Sequence, residues 1–153
     1  MSIKDKLQFL NIDLSNPPKA VGSYVAFKKI DKFIYISGQL PINNEGVILK
    51  GKVGDGIDLE KAQNAANICG INILKQLNQA TNYNLDIVKN CIKITGYVNS
   101  IEKFNDQPKV INPVSELLVN IFGEVGKHTR VAVSVNSLPL GAIVEVDGLF
   151  EIK

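Results

Sequence analysis

The chain has 153 residues and a formal net charge of +2, from 17 basic and 15 acidic side chains. Hydrophobic residues make up 45% of it and charged residues 21%, which is typical of one globular domain spanning 1–153. The near-neutral balance excludes the basic surface of a nucleic-acid binder, and no apolar run is long enough to cross a membrane.

The N-terminus and the cysteines predict a cytoplasmic protein. No positively charged segment followed by an apolar stretch and a cleavage site opens the chain, so we predict no secretory signal. Cys69 and Cys91 lie in apolar sequence without CxxC spacing, which favours buried free thiols in a reducing compartment. His128 is the single histidine and no metal-binding motif is present, so we expect neither a metal nor a cofactor.

Residues 1–16 predict a short amphipathic helical extension that packs on the body of the protein. Ser2 and Asp5 form a helix start signal, and apolar residues then recur at helical spacing. Pro17 and Pro18 follow this segment and end it.

A strand pair is predicted next, from Tyr24 to Ile30 and from Phe33 to Ser37, with a turn at Asp31-Lys32. The second strand has apolar residues on both faces, which is typical of a strand covered on both sides. It ends in Ser37-Gly38-Gln39-Leu40-Pro41, where the glycine lets the backbone turn and approach a ligand closely. This strand end is a candidate edge of a site.

A loop and a long helix follow the strand pair. Asn43 to Gly56 predicts a loop with one short extended segment at Val47-Ile48-Leu49. Asp58 caps a helix that ends near Ala80. The helix carries an apolar stripe that predicts packing on a sheet, formed by Ala62, Ala66, Cys69, Ile73 and Leu77.

The next predicted elements are a strand and a second long helix. Apolar and polar residues alternate over 92–99, which indicates a strand with two different faces. Asn105-Asp106 supplies cap chemistry for the helix, which ends near Gly123. Either this helix begins at Asn112 with Pro113 in its first turn, or a longer helix is kinked at Pro113; the sequence leaves both open.

The last two predicted strands carry the most distinctive charges. Valines alternate with small residues around Arg130, the only arginine, so its guanidinium projects from the face opposite the valines. In the strand from about Ala142 to Ile152, Glu145 and Asp147 share one face. A lone guanidinium in a lysine-rich chain favours two-pronged recognition of a carboxylate or phosphate. If these strands pair directly, a cross-strand ion pair of Arg130 with Glu145 or Asp147 is the alternative.

The order strand, strand, helix, strand, helix, strand, strand predicts an α+β domain with both long helices on one face of a mixed sheet. The opposite face carries enough apolar and small residues that its exposure to water would be costly. We therefore expect another subunit to cover it.

Several features together resemble the Rid (YjgF) family, also called endoribonuclease L-PSP-like, over residues 21–152. They are Tyr24, the Ser37-Gly38-Gln39-Leu40-Pro41 turn, Asn112, Arg130 with Val133, Leu138-Pro139 and Val144-Glu145. The resemblance implies a chorismate-mutase-like fold and a homotrimer with ligand clefts between subunits. It also implies hydrolysis of reactive enamines and imines derived from amino acids to 2-oxo acids and ammonia, without a cofactor.

The resemblance further implies roles for single residues. Arg130 would hold the substrate carboxylate, and Glu145 would position or activate the attacking water. The cleft would be lined by Tyr24, Ser37, Gly38 and Asn112. Judged from the residues alone, Asn112 is also a candidate helix cap, and Ser37 is a group that satisfies the backbone at the strand end. His128 is predicted to be a loop residue, and its closeness to Arg130 in the sequence leaves a minor role in the site open.

Three functions of different classes remain open. The first is an imine deaminase acting on a small carboxylated imine or enamine. The second is a non-catalytic trimer that binds a small carboxylic acid and regulates another process; Ala132, which replaces a cysteine found in many active members, favours it. The third is the ribonuclease that the family label implies, which has the least support because no basic groove or histidine pair is present.

Overall fold

The computed structural model describes residues 1–153 as three α-helices and seven β-strands. The helices are α1 (Ile3–Phe9), α2 (Leu59–Ala80) and α3 (Gln107–Phe122). The strands are β1 (Phe27–Ile30), β2 (Phe33–Gln39), β3 (Lys52–Val53), β4 (Gly56–Ile57), β5 (Val88–Asn99), β6 (Thr129–Val135) and β7 (Val144–Ile152). Short 3-10 turns lie at Leu85–Ile87, Gly123–Gly126 and Pro139–Gly141.

Five strands form one mixed sheet in the order β1-β2-β7-β5-β6. β5 and β6 are parallel, and every other neighbouring pair is antiparallel. The chain between β5 and β6 contains α3, because parallel strands need a crossover rather than a tight turn. α2 and α3 pack together on one face of the sheet, and this confirms the predicted α+β architecture.

The alternation of side chains separates a helix-covered face from an open face. In β7, Val144, Val146 and Phe150 are fully buried beneath the helices, while Glu145 and Asp147 lie on the open face. Ile34 and Ile36 of β2 are likewise buried. The large apolar and aromatic side chains exposed on the open face of the sheet include Ile30, Phe33, Tyr35, Val131 and Val133.

Helix α2 follows the predicted pattern. The Asp58 side chain accepts a hydrogen bond of 2.8 Å from the Lys61 backbone amide, and the predicted apolar stripe is buried. Cys69 on this helix and Cys91 on β5 are buried free thiols, as expected. Burial raises the pKa of Cys91 to about 12 and that of Cys69 well above its usual range, so neither thiol ionises readily.

Helix α3 is a single helix that continues through Pro113 and begins five residues before Asn112. Proline has no amide hydrogen for the Lys109 carbonyl one turn earlier. Gln63 of α2 supplies the missing donor, since its Nε2 lies 2.9 Å from that oxygen. The side chain of Asp106 makes no capping bond, so the cap chemistry predicted there is wrong.

Three strand predictions need correction. β1 begins at Phe27 rather than Tyr24, and β2 continues through Gln39. The segment at Val47-Ile48-Leu49 forms only an isolated bridge between Ile42 and Ile48 and not a strand. The short parallel strands β3 and β4 lie after it.

The N-terminal helix forms and packs on the body as predicted, but it ends at Phe9 and not at Pro17 and Pro18. Ser2 and Asp5 make a reciprocal capping box. The Ser2 amide donates a 3.0 Å hydrogen bond to the Asp5 carboxylate, and the Asp5 amide donates a 3.1 Å hydrogen bond to the Ser2 hydroxyl oxygen. Lys6 donates a 3.0 Å hydrogen bond to the Ile121 carbonyl in the last turn of α3, where carbonyl groups lack helical partners. None of the three helices combines the length and the apolar composition needed to cross a membrane.

Candidate functional site

The candidate residues Arg130 and Glu145 lie on opposite faces of the sheet. Because Val131 and Val133 occupy the open face of β6, Arg130 points to the helix-covered side and reaches α3. Strand β5 lies between β6 and β7, with Ile94 opposite Arg130 and Tyr97 opposite Glu145. The cross-strand ion pair is therefore wrong, and Arg130 forms no salt bridge at all.

Two neutral acceptors on α3 hold one nitrogen of the guanidinium. Nη1 of Arg130 lies 3.0 Å from Asn112 Oδ1 and 3.2 Å from Ser115 Oγ, and these residues share a helix face because they are three positions apart. An Nη group carries two hydrogens, so both are used. Nε and Nη2 have no acceptor in the protein, which leaves one edge of the guanidinium free for a ligand.

Asn112 has a different position from the one that the sequence indicates by itself, whereas His128 lies in a loop as expected. Asn112 lies in the interior of α3 and is not a helix cap. His128 is part of the arginine cluster, since its Nε2 lies 2.8 Å from Ser115 Oγ and its Nδ1 lies 2.7 Å from the Gly126 carbonyl oxygen. Sequence analysis missed Ser115, although its spacing of three from Asn112 was a usable signal.

The second group of candidate residues surrounds a pocket of about 430 Å³ near the end of β2. Tyr24, Gly38 and Glu145 line it together with the apolar side chains of Leu40 and Leu140. The structure thus divides the candidates into two half-sites. The arginine half-site contains Arg130, Asn112, Ser115 and His128, and the glutamate half-site contains Tyr24, Gly38 and Glu145.

Gly38 gives the Glu145 carboxyl group its space. The pairing of β2 with β7 shifts register between Ile36 and Gln39, which brings the Gly38 backbone against Glu145. A Cβ atom built on Gly38 would lie 2.9 Å from Glu145 Cδ, a separation that real Cβ contacts do not show. The neighbouring Ser37 hydroxyl donates a 2.6 Å hydrogen bond to the Val25 carbonyl, so it satisfies the backbone at this strand end.

The acidic side chains of the open face have altered acidity. Burial, and to a smaller extent the charge of Asp147, raises the pKa of Glu145. Burial also raises the pKa of Asp147, which accepts a 3.3 Å hydrogen bond from the Tyr97 hydroxyl. A carboxyl group with a raised pKa is better matched to proton transfer near neutral pH. No three His, Cys, Asp or Glu side chains are arranged to hold a metal ion.

Comparison with known proteins gives one consistent family. The family model described as "YjgF/chorismate mutase-like, putative endoribonuclease" matches residues 5–152. Protein TCP17 of Trypanosoma cruzi is 39% identical over 148 residues, which are 96% of this chain and 92% of that protein. The crystal structure of Atu1372 from Agrobacterium tumefaciens, a protein of unknown function, is 38% identical with a TM-score of 0.89, and the match covers 99% of this chain and 93% of that one.

A more distant structure shares the fold and carries a ligand. The crystal structure of E. coli TdcF with bound serine has a TM-score of 0.64 and 21% identity to this chain. The match covers 93% of this chain and 98% of TdcF. This likeness agrees with the chorismate-mutase-like fold that the sequence predicted.

Proposed function

Because the chain belongs to the YjgF/chorismate-mutase-like family, we propose that it hydrolyses reactive enamines and imines derived from amino acids to 2-oxo acids and ammonia. The observation that carries this proposal is the free edge of the Arg130 guanidinium. Nη1 is occupied by Asn112 and Ser115, while Nε and Nη2, which form one edge of the guanidinium, have no acceptor in the protein. A carboxylate is the ligand that accepts such a pair of bonds.

In the proposed reaction, Arg130 holds the carboxylate of the imine and so fixes the adjacent C=N carbon. Glu145 orients a water molecule and accepts a proton as the water oxygen bonds to that carbon. That proton passes to the nitrogen, which gives a carbinolamine with hydroxyl and NH2 groups on the same carbon. Glu145 then takes the hydroxyl proton and returns it to the nitrogen. As the C=O bond of the 2-oxo acid forms, the C–N bond breaks with its electron pair leaving on ammonia. An enamine first takes a proton on carbon to become the imine.

The proposal includes a homotrimer in which one subunit completes the site of the next. Arg130 and Glu145 face opposite sides of one sheet, so a single subunit does not offer both to one small substrate. β6, which carries Arg130, is an edge strand, and the glutamate half-site lies toward the other edge. The exposed Phe33, Tyr35 and Val133 of the open face support its burial against other subunits.

The bound serine in E. coli TdcF supports a small ligand with a carboxylate. Serine carries the same α-carboxylate that an amino-acid-derived imine would present. The apolar side chains around Glu145 favour a substrate with a short aliphatic part.

Arg130→Lys tests the proposal because it keeps the charge and removes the planar fork. We expect wild-type protein to accelerate release of ammonia and 2-oxo acid from a freshly generated 2-aminoacrylate-type imine, and the variant to lose about tenfold or more of this rate. Lys89→Arg is the control, since it makes the reverse exchange in an exposed ion pair with Glu151. No acceleration by wild-type protein would contradict the deaminase.

A non-catalytic acid-binding protein is the second candidate. Ala132, partly buried on the same face of β6 as Arg130, provides no nucleophile or proton donor. If wild-type protein does not accelerate hydrolysis but is stabilised against heat by 2-oxo acids, this function replaces the first. The ribonuclease gains no support, because both ring nitrogens of the single histidine are hydrogen-bonded within the protein.

A further inference from the structure

The Arg130 guanidinium is connected to the backbone by a chain of three hydrogen bonds. Arg130 Nη1 lies 3.2 Å from Ser115 Oγ, which lies 2.8 Å from Nε2 of His128. Nδ1 of His128 lies 2.7 Å from the Gly126 carbonyl oxygen. The three side chains are partly shielded from water, which strengthens each bond relative to an exposed one.

The Gly126 carbonyl at the end of this series of hydrogen bonds determines which atom donates and which accepts in each of them. A carbonyl oxygen only accepts hydrogen bonds, so His128 carries its hydrogen on Nδ1. In the neutral ring, Nε2 is then an acceptor and takes the hydrogen of the Ser115 hydroxyl. The Ser115 oxygen therefore presents a lone pair to Arg130 Nη1.

The Gly126 carbonyl is itself held firmly in place. Gly126 is buried against α3, and a Cβ atom built on it would lie 3.0 Å from Val119 Cα and 2.8 Å from the Leu118 carbonyl carbon. Only glycine permits this approach of the turn to the helix. The hydrogen-bond chain thus passes through Ser115 of α3 and ends on a turn that packs against the same helix.

We propose that Ser115 and His128 are positioning residues that orient the Arg130 guanidinium, so that Nε and Nη2 face the substrate carboxylate. The inference rests on the proposed function for the identity of the ligand, and on the geometry for the orientation. With Asn112 on one hydrogen of Nη1 and Ser115 on the other, the plane of the guanidinium is fixed before a ligand arrives. Without Ser115, that plane can turn and Nη1 competes for the carboxylate.

The composition of the chain allows a direct spectroscopic test. Arg130 and His128 are the only arginine and the only histidine, so nitrogen spectra of untagged protein contain one guanidinium and one imidazole. At mildly alkaline pH, where imidazoles are generally neutral, we expect the Nδ1–H tautomer. At low temperature, we expect separate signals for Nη1 and Nη2. In Ser115→Ala the two Nη signals should merge, because rotation is no longer restrained.

Two histidine variants separate the two ring nitrogens. His128→Asn keeps a donor near the Nδ1 position but provides nothing to Ser115, and should merge the Nη signals. His128→Gln keeps an acceptor near the Nε2 position and should retain more of their separation. Ser134→Ala is the control, since this hydroxyl lies on the same strand and bonds Ser100 and Gln107 instead.

Ligand affinity provides an independent readout, with pyruvate as the probe. We expect calorimetry to give a dissociation constant about fivefold to tenfold higher for Ser115→Ala than for wild type, which is the change expected from the loss of one ordinary hydrogen bond. Ser134→Ala should bind as wild type does. In assays of imine hydrolysis, Ser115→Ala should raise KM more than it lowers kcat.

The outcomes distinguish the two proposals. An Nε2–H tautomer, or Nη signals that remain separate in Ser115→Ala, would overturn the positioning roles whatever the protein binds. An unchanged pyruvate affinity in Ser115→Ala would overturn them as well. If wild-type protein binds no pyruvate and hydrolyses no imine, the proposed function fails, while the spectra still decide whether Ser115 and His128 fix the guanidinium.

Discussion

The space beside the Gly38 backbone is filled by the side chain of Glu145 and has no room for a second side chain. The backbone of β2 bulges between Ile36 and Gln39, and the Glu145 carboxyl group occupies the space where a Cβ atom of residue 38 would lie. A glycine is needed at position 38 for steric reasons. Its backbone is not left-handed, since Gly38 does not have a positive φ angle.

Gly38→Ala should therefore displace the Glu145 carboxyl group and cost about 1–3 kcal/mol of unfolding free energy through overpacking. Imine hydrolysis should fall with it. Chemical denaturation of Gly38→Ala, Glu145→Ala and the double variant measures the coupling between the sites. In the Glu145→Ala background, Gly38→Ala should cost much less, and an equal cost in both backgrounds would contradict the steric explanation.

Asp147 and Glu151 lie on the same face of β7, but the fold shifts their pKa values in opposite directions. Burial raises the pKa of Asp147 above 3.8. Hydrogen bonds from Lys89 and Asn90 lower the pKa of the exposed Glu151 below 4.5. The folded protein thus binds a proton more tightly at Asp147, and less tightly at Glu151, than the unfolded chain does.

Asp147→Asn should raise the melting temperature at neutral pH. The ionised Asp147 destabilises the fold as pH rises from 3.8 through its higher folded-state pKa, so the advantage of asparagine should vanish below pH 3.8. Glu151→Gln should show the opposite sign, since the stability from ionised Glu151 is present above 4.5 and lost on acidification. Calorimetric scans across pH measure both, and a Asp147→Asn protein less stable than wild type at pH 7 would contradict the assignment.

At the level of secondary structure, α3 tolerates an internal proline because a side chain of α2 supplies the hydrogen-bond donor that the proline lacks. Pro113 leaves the Lys109 carbonyl without its helical donor, and Gln63 of α2 takes that place at 2.9 Å. The helix can then carry Asn112 and Ser115 toward Arg130 on one continuous face.

Gln63→Ala should cost about 1 kcal/mol in the wild-type background, the usual value of a hydrogen bond. In the Pro113→Ala background it should cost less than half as much, because the new amide of residue 113 bonds the Lys109 carbonyl. Denaturant titration of the four proteins in this cycle measures the coupling. Equal costs in both backgrounds would show that Gln63 does not substitute for the helical donor.

Local signals predicted those elements that depend on nearby residues. Asp58 and the apolar stripe below it defined α2, and the alternation around Val144 defined the two faces of β7. The position of β5 between β6 and β7 depends on a crossover, which short-range patterns do not encode. The continuity of α3 depends on Gln63, 46 residues away from its partner, so the sequence left Pro113 unresolved.

The candidate site was predictable to a similar degree. Arg130 was recognisable as the only arginine on a strand of small residues and valines. Its acceptors Asn112 and Ser115 come from a helix crossing behind it. Their spacing of three places both on one face of that helix, but no local pattern places this face against Arg130. The division into two half-sites follows from the faces of the sheet, which become comparable only when the strand order is known.

For the molecule as a whole, the open face of the sheet predicts self-association. Val133→Asp puts a charge on this face without entering the core. If the proposed assembly is correct, sedimentation should show a trimer for wild-type protein and monomers with unchanged helix content for the variant. Val47→Asp, at an exposed loop position, is the matched control and should remain trimeric. A monomeric wild-type protein, or a trimeric Val133→Asp, would contradict assembly through this face.

If each cleft of the proposed trimer combines Arg130 of one subunit with Glu145 of the next, two damaged copies of the gene should rescue each other. In trimers mixed at random from Arg130→Lys and Glu145→Ala subunits, about one quarter of the clefts between subunits receive an intact residue from each side. Co-refolding equal amounts of the two inactive variants should therefore restore about a quarter of wild-type hydrolysis. A site contained within one subunit would show no such complementation, and a cell carrying both alleles would be as defective as a cell carrying either.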